Sequence, residues 1–471
     1  MSGLFASLNA STTALAAQSR AVEISGKNLA NVNNPAYARQ RVILGNLGTI
    51  QTAQGPESMG VTALGIEQIR DSLLDQQVMR ETALTASYTA QQQAYQRTQA
   101  GLGQSIDSTK GASGSSSTGD NGIAAAMDDF FNAFQSLAAN PTDPGQRQTL
   151  LQNTSILTDR LQLADQRLTQ VSNDQDTQIA TDVTSVNRLL QTVADLNGQI
   201  DRFELNKSGS AVDLRDQRQA DLEQLAAKLP VEVKTSATGK IQLVAKDGSG
   251  ADVVLVDDNK VLGPVAFTGT QITGGASATP LALSAGSIQG ALAARDGGIL
   301  TLRTNLNLLT SQLVASVNKA YNPTGLTGNF FNPAGTTAGT IALAAGVTSN
   351  TLKASDGGPA GDNTVALAIA ALATKNFSTT GLPPDAIDGT LGGFFSTAVS
   401  NLGQSLSGAS ARVNDQSKIE QLVRSQRDGV SGVSLDEEMA QLVQYQRAFQ
   451  ASSRVFTTID DLIDTVVNKL G

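Results

Sequence analysis

Apolar residues recur at a seven-residue interval in two stretches, one near each end of the chain, with polar residues on the remaining faces. Such a repeat is typical of helices that pack lengthwise against a partner, as in a coiled coil. Neither helix can bury its own stripe, so each is expected to pair, although on periodicity alone the stripes could instead close an ordinary helical bundle. The residues expected to form the packing surface are Leu4, Leu8, Leu15, Val22, Leu29, Leu435, Leu442, Phe449, Phe456, Ile463 and Leu470.

The start of the last helix is marked by a capping box. Ser434 is followed three residues later by Glu437, a spacing that satisfies free N–H groups at a helix N-terminus. Asp436 and Glu438 add negative charge to the first turn, where the helix dipole favours it. The alternative is that the three acids form a metal or acid–base site, but no ligand spacing or opposing base accompanies them. Capping is therefore the favoured interpretation.

The central part of the chain predicts long helices. Between Gly145 and Gly198 there is neither Gly nor Pro, and a continuous helix of that length would span about 80 Å. Asp143 is suited to cap this helix and Pro144 to begin it. A long helix of this kind indicates a rod-like helical bundle. Helical spacing is also found over residues 66–102, 212–229 and 288–321, and again up to residue 422.

At Pro230 the apolar period changes from helical to alternating. The alternation continues to about Leu283 and is interrupted by turn signals such as Asp247-Gly-Ser-Gly250, which is typical of short antiparallel strands. This pattern predicts a small β domain inserted between helices. Residues 322–364 are rich in Gly and Thr and are expected to form irregular or β structure.

The predicted fold is mainly α with a β insert, and elongated. Its predicted domains are a terminal coiled-coil domain (1–36 and 430–471), a rod-like helical bundle domain (37–229 and 286–429, with an irregular or β segment at 322–364) and a small antiparallel β insert domain (230–285).

Composition narrows the function classes. The chain carries 33 Lys+Arg against 42 Asp+Glu without a basic block, so nucleic acid is an unfavourable partner. It has no Cys and no His, which removes disulfides, thiolate chemistry and the usual general base. No basic residue precedes Arg20, and no stretch approaches the roughly eighteen apolar residues of a membrane span. We therefore expect no enzyme, no cofactor, no metal, no cleaved signal peptide and no membrane insertion.

Two other functions fit the sequence less well. An adhesin acting through the β insert would need aromatic residues to stack on sugars, yet Phe267 is the only aromatic residue in the insert. A carboxylate glycosidase would need two acids across a cleft, whereas Asp257 and Asp258 are adjacent in a polar turn. The helical-stalk adhesin remains the alternative hypothesis.

Several motifs resemble those of a known family. The stretch Leu29-Ala-Asn-Val-Asn-Asn-Pro-Ala-Tyr-Ala-Arg-Gln40 is similar to the N-terminal signature of bacterial flagellar axial proteins, which include rod, hook and hook-associated proteins. The long helix favours the hook-associated members, since hook proteins are largely β between their ends. Further resemblances to the hook-associated members are Asn140-Pro-Thr-Asp-Pro-Gly-Gln-Arg147, Asp213-Leu-Arg-Asp-Gln-Arg218, Gly328-Asn-Phe-Phe331, the stretch from Ala354 to Asn363, and Ser431-Gly-Val-Ser-Leu-Asp-Glu-Glu438.

The resemblance implies a structural protein of the extracellular flagellum, exported by the flagellar type III apparatus. It implies polymerisation at the distal end of the hook, at the hook–filament junction. The implied partners are further copies of the chain, the hook protein, a second hook-associated protein towards the filament, and an export chaperone at the C-terminal helix. The terminal heptad residues would then serve association, and their ordering would be coupled to assembly.

Overall fold

The chain is mainly helical. The computed structural model describes residues 2–52, 55–102, 122–205, 209–235, 240–325, 328–359 and 361–468. A π-helical segment, Ala294–Ile299, joins two of the helices. The α-helices in the described ranges are α1 (Ser2–Ala30), α2 (Ser72–Leu102), α3 (Ile123–Ala139), α4 (Pro144–Glu204), α5 (Val212–Lys228), α6 (Gly286–Ala293), α7 (Leu300–Tyr321), α8 (Thr364–Ala370), α9 (Leu391–Ser431) and α10 (Leu435–Asn468).

The strands form small antiparallel sheets. Strands β1 and β4 pair with each other, and β2 pairs with β3. The predicted β insert is confirmed as a four-stranded sheet in the order β5-β6-β7-β8 and a three-stranded sheet in the order β11-β10-β9. The strands are β1 (Gln40–Asn46), β2 (Thr49–Thr52), β3 (Gly55–Ser58), β4 (Val61–Gln68), β5 (Glu232–Thr235), β6 (Ile241–Lys246), β7 (Asp252–Asp257), β8 (Lys260–Val261), β9 (Ala266–Phe267), β10 (Ile272–Gly274) and β11 (Thr279–Pro280).

Contacts divide the chain into two compact units. Unit 1 comprises residues 1–85, 183–286 and 416–471, and unit 2 comprises residues 86–182 and 287–415. Unit 1 contains the terminal helices α1 and α10, the strand pair β1–β4 and the β insert. Unit 2 has an apolar core that includes a cluster of aromatic rings, formed by Phe130, Phe131, Phe134, Tyr321, Phe330 and Phe331.

The long central helix is confirmed. Helix α4 is 61 residues long, about 90 Å, and continues through Gly198. Its start agrees with the prediction, because Pro144 is its first residue and the Asp143 carboxylate accepts a hydrogen bond from the Gly145 N–H at 2.7 Å. Its predicted apolar stripe is buried, at Leu150, Leu157, Leu161, Leu168, Ile179, Val183, Val186, Leu190 and Val193.

The prediction of helix from residue 66 is wrong at its start. Ile66 lies in β4, where it pairs with Val42 of β1. Helix α2 begins only at Ser72, because the Asp71 carboxylate caps it by accepting hydrogen bonds from the N–H groups of Leu73 (2.8 Å) and Leu74 (3.3 Å). The stretch assigned to a helical bundle thus includes four strands between residues 40 and 68.

The irregular segment after α7 is confirmed. In the described part of 322–364 there is one isolated bridge, between Phe331 and Leu343, before α8 begins. Arg147 of α4 fixes this segment by donating a hydrogen bond to the Leu352 carbonyl at 2.6 Å, and it also donates to the Pro141 carbonyl at 2.9 Å. These hydrogen bonds give a structural role to Arg147, the last residue of the motif from Asn140 to Arg147.

Candidate assembly surface and the polar junction at its base

The two terminal helices pack against each other. Helix α1 also contacts β1 and β4, so the strand pair covers another face of the same helix. Asn28, near the end of α1, donates a hydrogen bond to Glu438, near the start of α10, at 3.1 Å. Two helices that pack along each other and meet end to start run antiparallel. The structure therefore brings together the two helices that carry the predicted heptad stripes.

The predicted packing residues are only partly covered in a single chain. Leu435 is 48% exposed and Phe449 is 40% exposed, whereas the buried apolar residues Ala17, Ala21 and Ile24 of α1 are not among the predicted positions. Leu470 lies outside the described residues. The other predicted positions are half-buried: Leu4, Leu8, Leu15, Val22, Leu29, Leu442, Phe456 and Ile463.

More apolar surface borders these stripes. Helix α10 also exposes Met439, Val443, Val455 and Leu462. The β1–β4 pair and the turn after β1 expose five large aliphatic side chains, which the sequence analysis did not single out. Contiguous exposed apolar surface commonly marks a protein–protein contact. The five residues are Ile43, Leu44, Leu47, Val61 and Leu64.

A buried polar cluster lies where α1 ends and α10 begins. We call it the polar junction, and its central residues are Asn28, Tyr37, Arg39, Gln40 and Glu438. The Asn28 amide donates to the Gln40 carbonyl (2.8 Å) and to Glu438. Its oxygen accepts from the Tyr37 hydroxyl (2.8 Å) and the Gln40 N–H (3.0 Å). Burial raises the pKa of Tyr37, so this hydroxyl stays protonated and donates.

Arg39 joins the N-terminal signature to the start of α10. Its Nε donates to Glu438 and its Nη1 to Glu437, both at 2.7 Å, and its N–H donates to the Ser431 carbonyl at 2.8 Å. The Glu438 side chain is 1% exposed. Glu437 and Glu438 therefore do more than cap α10, because both also bind Arg39. The contact from the Glu437 N–H to the Ser434 hydroxyl is long, at 3.5 Å.

A second carboxylate holds the other side of the signature loop. Asp216 of α5 accepts hydrogen bonds from the Ala38 N–H (3.2 Å), the Gln68 amide (2.7 Å) and Arg70 (2.5 Å). Burial raises the pKa of Asp216 to about 6, although Arg70 acts in the opposite direction. Burial likewise raises the pKa of Asp75, which accepts from Arg70 at 2.9 Å.

Guanidinium groups also bind backbone carbonyls of this loop. Arg70 donates to the Ala36 carbonyl at 3.1 Å, and Arg427 of α9 donates to the Pro35 carbonyl at 2.9 Å. Arg427 in turn is paired with Glu223 of α5 at 2.7 Å. The loop that follows α1 is thus held by side chains of α5 and α9 and by Arg70, which lies between β4 and α2.

Three of the motifs that carried the family resemblance converge at the polar junction. They are the stretches 29–40, 213–218 and 431–438, which are far apart in the chain. The first two stretches meet where the Gln40 amide donates to Asp213 at 3.1 Å, and Lys27 pairs with the same carboxylate at 2.6 Å. Only the motifs themselves marked these residues in the sequence. The charged residues follow no periodic pattern that would predict their pairing.

The described residues hold no cluster of three acidic side chains placed to bind a metal ion. Among the described helices, none is long and apolar enough to cross a membrane.

Comparison with known proteins links the chain to flagellar proteins. A model described as the flagellar hook-associated protein FlgK helical domain matches residues 113–331. A second model, the flagellar basal body rod FlgEFG protein C-terminal, matches residues 425–470. Flagellar hook-associated protein 1 of Bacillus subtilis is 24% identical over 527 aligned positions, which cover 100% of this chain and 99% of that protein. The chain is thus similar over its whole length to flagellar hook-associated protein 1.

Other relatives match over part of their length. Flagellar hook-associated protein 1 of Escherichia coli is 25% identical over 51% of this chain and 42% of its own length. The solved FlgK structure from Burkholderia pseudomallei, a flagellar hook junction protein, superposes with a TM-score of 0.46 and 22% identity over 55% of this chain and 46% of that one. These matches identify the chain as a structural component of the bacterial flagellum.

Proposed function

We propose that the chain polymerises at the distal end of the hook and forms the hook–filament junction through its terminal helices. The observation that carries this proposal is the incomplete burial of both heptad stripes in a single chain. Completing the burial of a Leu or Phe side chain contributes roughly 1.5–3 kcal/mol. Neighbouring copies that cover these stripes would therefore gain stability from every subunit added.

The same surface defines the partners we propose. Copies of this chain form a ring, the hook protein lies on one side and a second hook-associated protein on the filament side. The exposed aliphatic residues of the β1–β4 pair lie on strands that contact α1, so they extend the same assembly surface. Export through the flagellar type III apparatus, with a chaperone on α10, would keep this surface covered before assembly.

Two charge substitutions on α10 test the proposal. Phe449→Asp with Phe456→Asp places carboxylates in the packing stripe, and burying them between copies is strongly unfavourable. We expect a folded, helical, secreted protein that fails to join hooks to filaments, measured by motility and by electron microscopy of detached flagella. The matched control is Gln446→Asp with Gln450→Asp, because both glutamines are exposed. Normal hook–filament junctions in the Phe449/Phe456 variant would overturn the proposal.

A further inference from the structure

The start of α10 is held by one buried side chain. From Ser434 to Ala440, the first two turns of the helix and its cap, every residue except Glu438 is exposed. Leu435 and Met439, the large apolar residues of this stretch, are both about half exposed. Apolar burial therefore does little to fix where α10 begins on α1, and the Glu438 carboxylate is the contact that remains.

The heptad stripes do not define a unique alignment by themselves. Because the repeat is exactly periodic in sequence, moving α10 by seven residues, about 10 Å, puts Phe449 where Leu442 was and Phe456 where Phe449 was. The slipped pairing still buries an apolar stripe, and it needs only the exposed first turns to unwind. A buried polar group that has one partner is a well-attested way to select a single register between such helices.

We propose that Glu438 sets the register of α10 on α1. The Glu438 carboxylate can contact both Arg39 and Asn28 in only one alignment of α10 on α1. In the slipped alignment Arg39 and Asn28 lose this acceptor, and breaking a buried ion pair costs several kcal/mol. The inference concerns the single chain. It rests on the proposed function only for its consequence, which is that every subunit presents the same packing surface to its neighbours.

Engineered cysteine pairs can report the register, because the chain has no native Cys. Equal steps along the two antiparallel helices from the Asn28–Glu438 contact place Ala14 opposite Ser452, and both are half-buried. A slip of α10 by seven residues towards the junction would place Ser452 opposite Ala21 instead. The pair Ala14→Cys with Ser452→Cys therefore reports the native register, and Ala21→Cys with Ser452→Cys reports the slipped one.

Each cysteine pair is introduced into the full chain, purified and oxidised. The same is done in a chain that also carries Arg39→Leu and Glu438→Leu. The double change removes both charges, so neither remains buried and unpaired. With the native junction we expect disulfide formation in the Ala14 pair only. With the double change we expect the Ala21 disulfide to increase about tenfold or more. Glu437→Gln is the control, since it removes the exposed contact to Arg39 and should leave the Ala21 pair reduced.

An Ala21 disulfide that stays at its original level, while the Ala14 disulfide still forms in the double variant, would overturn the register assignment. Loss of both disulfides together with loss of helical circular dichroism would also overturn it, since the junction would then be needed for folding itself. Assembly is not measured in this experiment. A failure here is thus distinguishable from a failure of the Phe449/Phe456 test, which reports on the hook–filament junction.

Discussion

At the scale of single residues, burial and a neighbouring cation have opposite effects on the pKa of Asp216. Burial favours the neutral carboxyl, whereas Arg70 favours the carboxylate, and burial dominates. The folded pKa of about 6 lies above the ordinary value of 3.8. Ionisation of Asp216 therefore opposes folding, and its contribution to stability is greatest below about pH 4 and is lost as the pH rises through about 6.

We predict that the Asp216 carboxyl titrates near pH 6, measured by carbon-13 NMR of Asp-labelled protein. The Asp216→Asn variant identifies the signal by its disappearance. In Arg70→Gln the titration should move to higher pH, because the cation that lowers the pKa of Asp216 is gone. A midpoint near 4 in the unmodified protein, or a downward shift in Arg70→Gln, would contradict this account of the junction.

Residues differed in how well the sequence predicted them. Leu157 and Ile179 were recognised because burial repeats along α4 with the helical period. Glu438 was not recognised, since an acid in the first turn of a helix satisfies the dipole whether or not it is buried. Its burial depends on Arg39, which is hundreds of positions away and has no periodic relation to it. Periodicity predicts apolar faces, whereas polar pairing needs the tertiary structure.

At the scale of secondary-structure elements, glycine permits one close helix contact in unit 2. Gly290 in α6 lies so close to the backbone of α2 that an added Cβ would be 2.1 Å from the Ser87 carbonyl oxygen. Gly408 in α9 has no neighbouring atom within 4 Å of the same position. The two glycines are both inside helices, but only Gly290 is required by packing.

Alanine substitutions should therefore act in opposite directions. Gly290→Ala forces α6 away from α2 and should lower the unfolding free energy of unit 2 by about 1–3 kcal/mol. Gly408→Ala removes backbone freedom from the unfolded chain and should raise that free energy by about 0.5–1 kcal/mol. Urea unfolding, with hydrogen exchange to assign the transition to unit 2, measures both. Equal effects of the two substitutions would show that the α6–α2 contact is not tight.

The elements missed by the sequence analysis have a local explanation. Strands β1 and β4 are rich in aliphatic residues whose spacing does not alternate cleanly, because the register shifts between Ile43 and Leu44. Ile66 also happens to continue the helical spacing of α2. The start of α2 could have been predicted from Asp71, which is a favourable capping residue. The sequence analysis instead followed the apolar spacing, which continues into β4.

At the scale of the whole molecule, exposed arginines offer a comparison between the terminal helices and α4. Arg20 on α1, Arg447 and Arg454 on α10, and Arg188 on α4 are all exposed. Arg188 differs because its helix has fully buried aliphatic residues on the opposite face, such as Val186 and Leu190. Local opening costs less where fewer apolar contacts must be broken.

Limited trypsin digestion of the isolated chain should cut at Arg20, Arg447 and Arg454 well before Arg188. In assembled hook–filament junctions, the same three sites should become resistant, because neighbouring copies would cover the terminal helices. Mass spectrometry of the fragments identifies the order of cleavage. Equal resistance of all four sites in the isolated chain would argue against ordering that is coupled to assembly.

The contact between Arg39 and Glu438 joins amino acids that are made early and late in synthesis. A polypeptide cut short before Glu438 leaves Arg39 and Asn28 without their acceptor, and one that lacks the first forty amino acids strands a carboxylate. Either truncated polypeptide has an unpaired charge at the polar junction. The start of α10 and the loop after α1 therefore reach their native contacts only when both ends of the polypeptide are present.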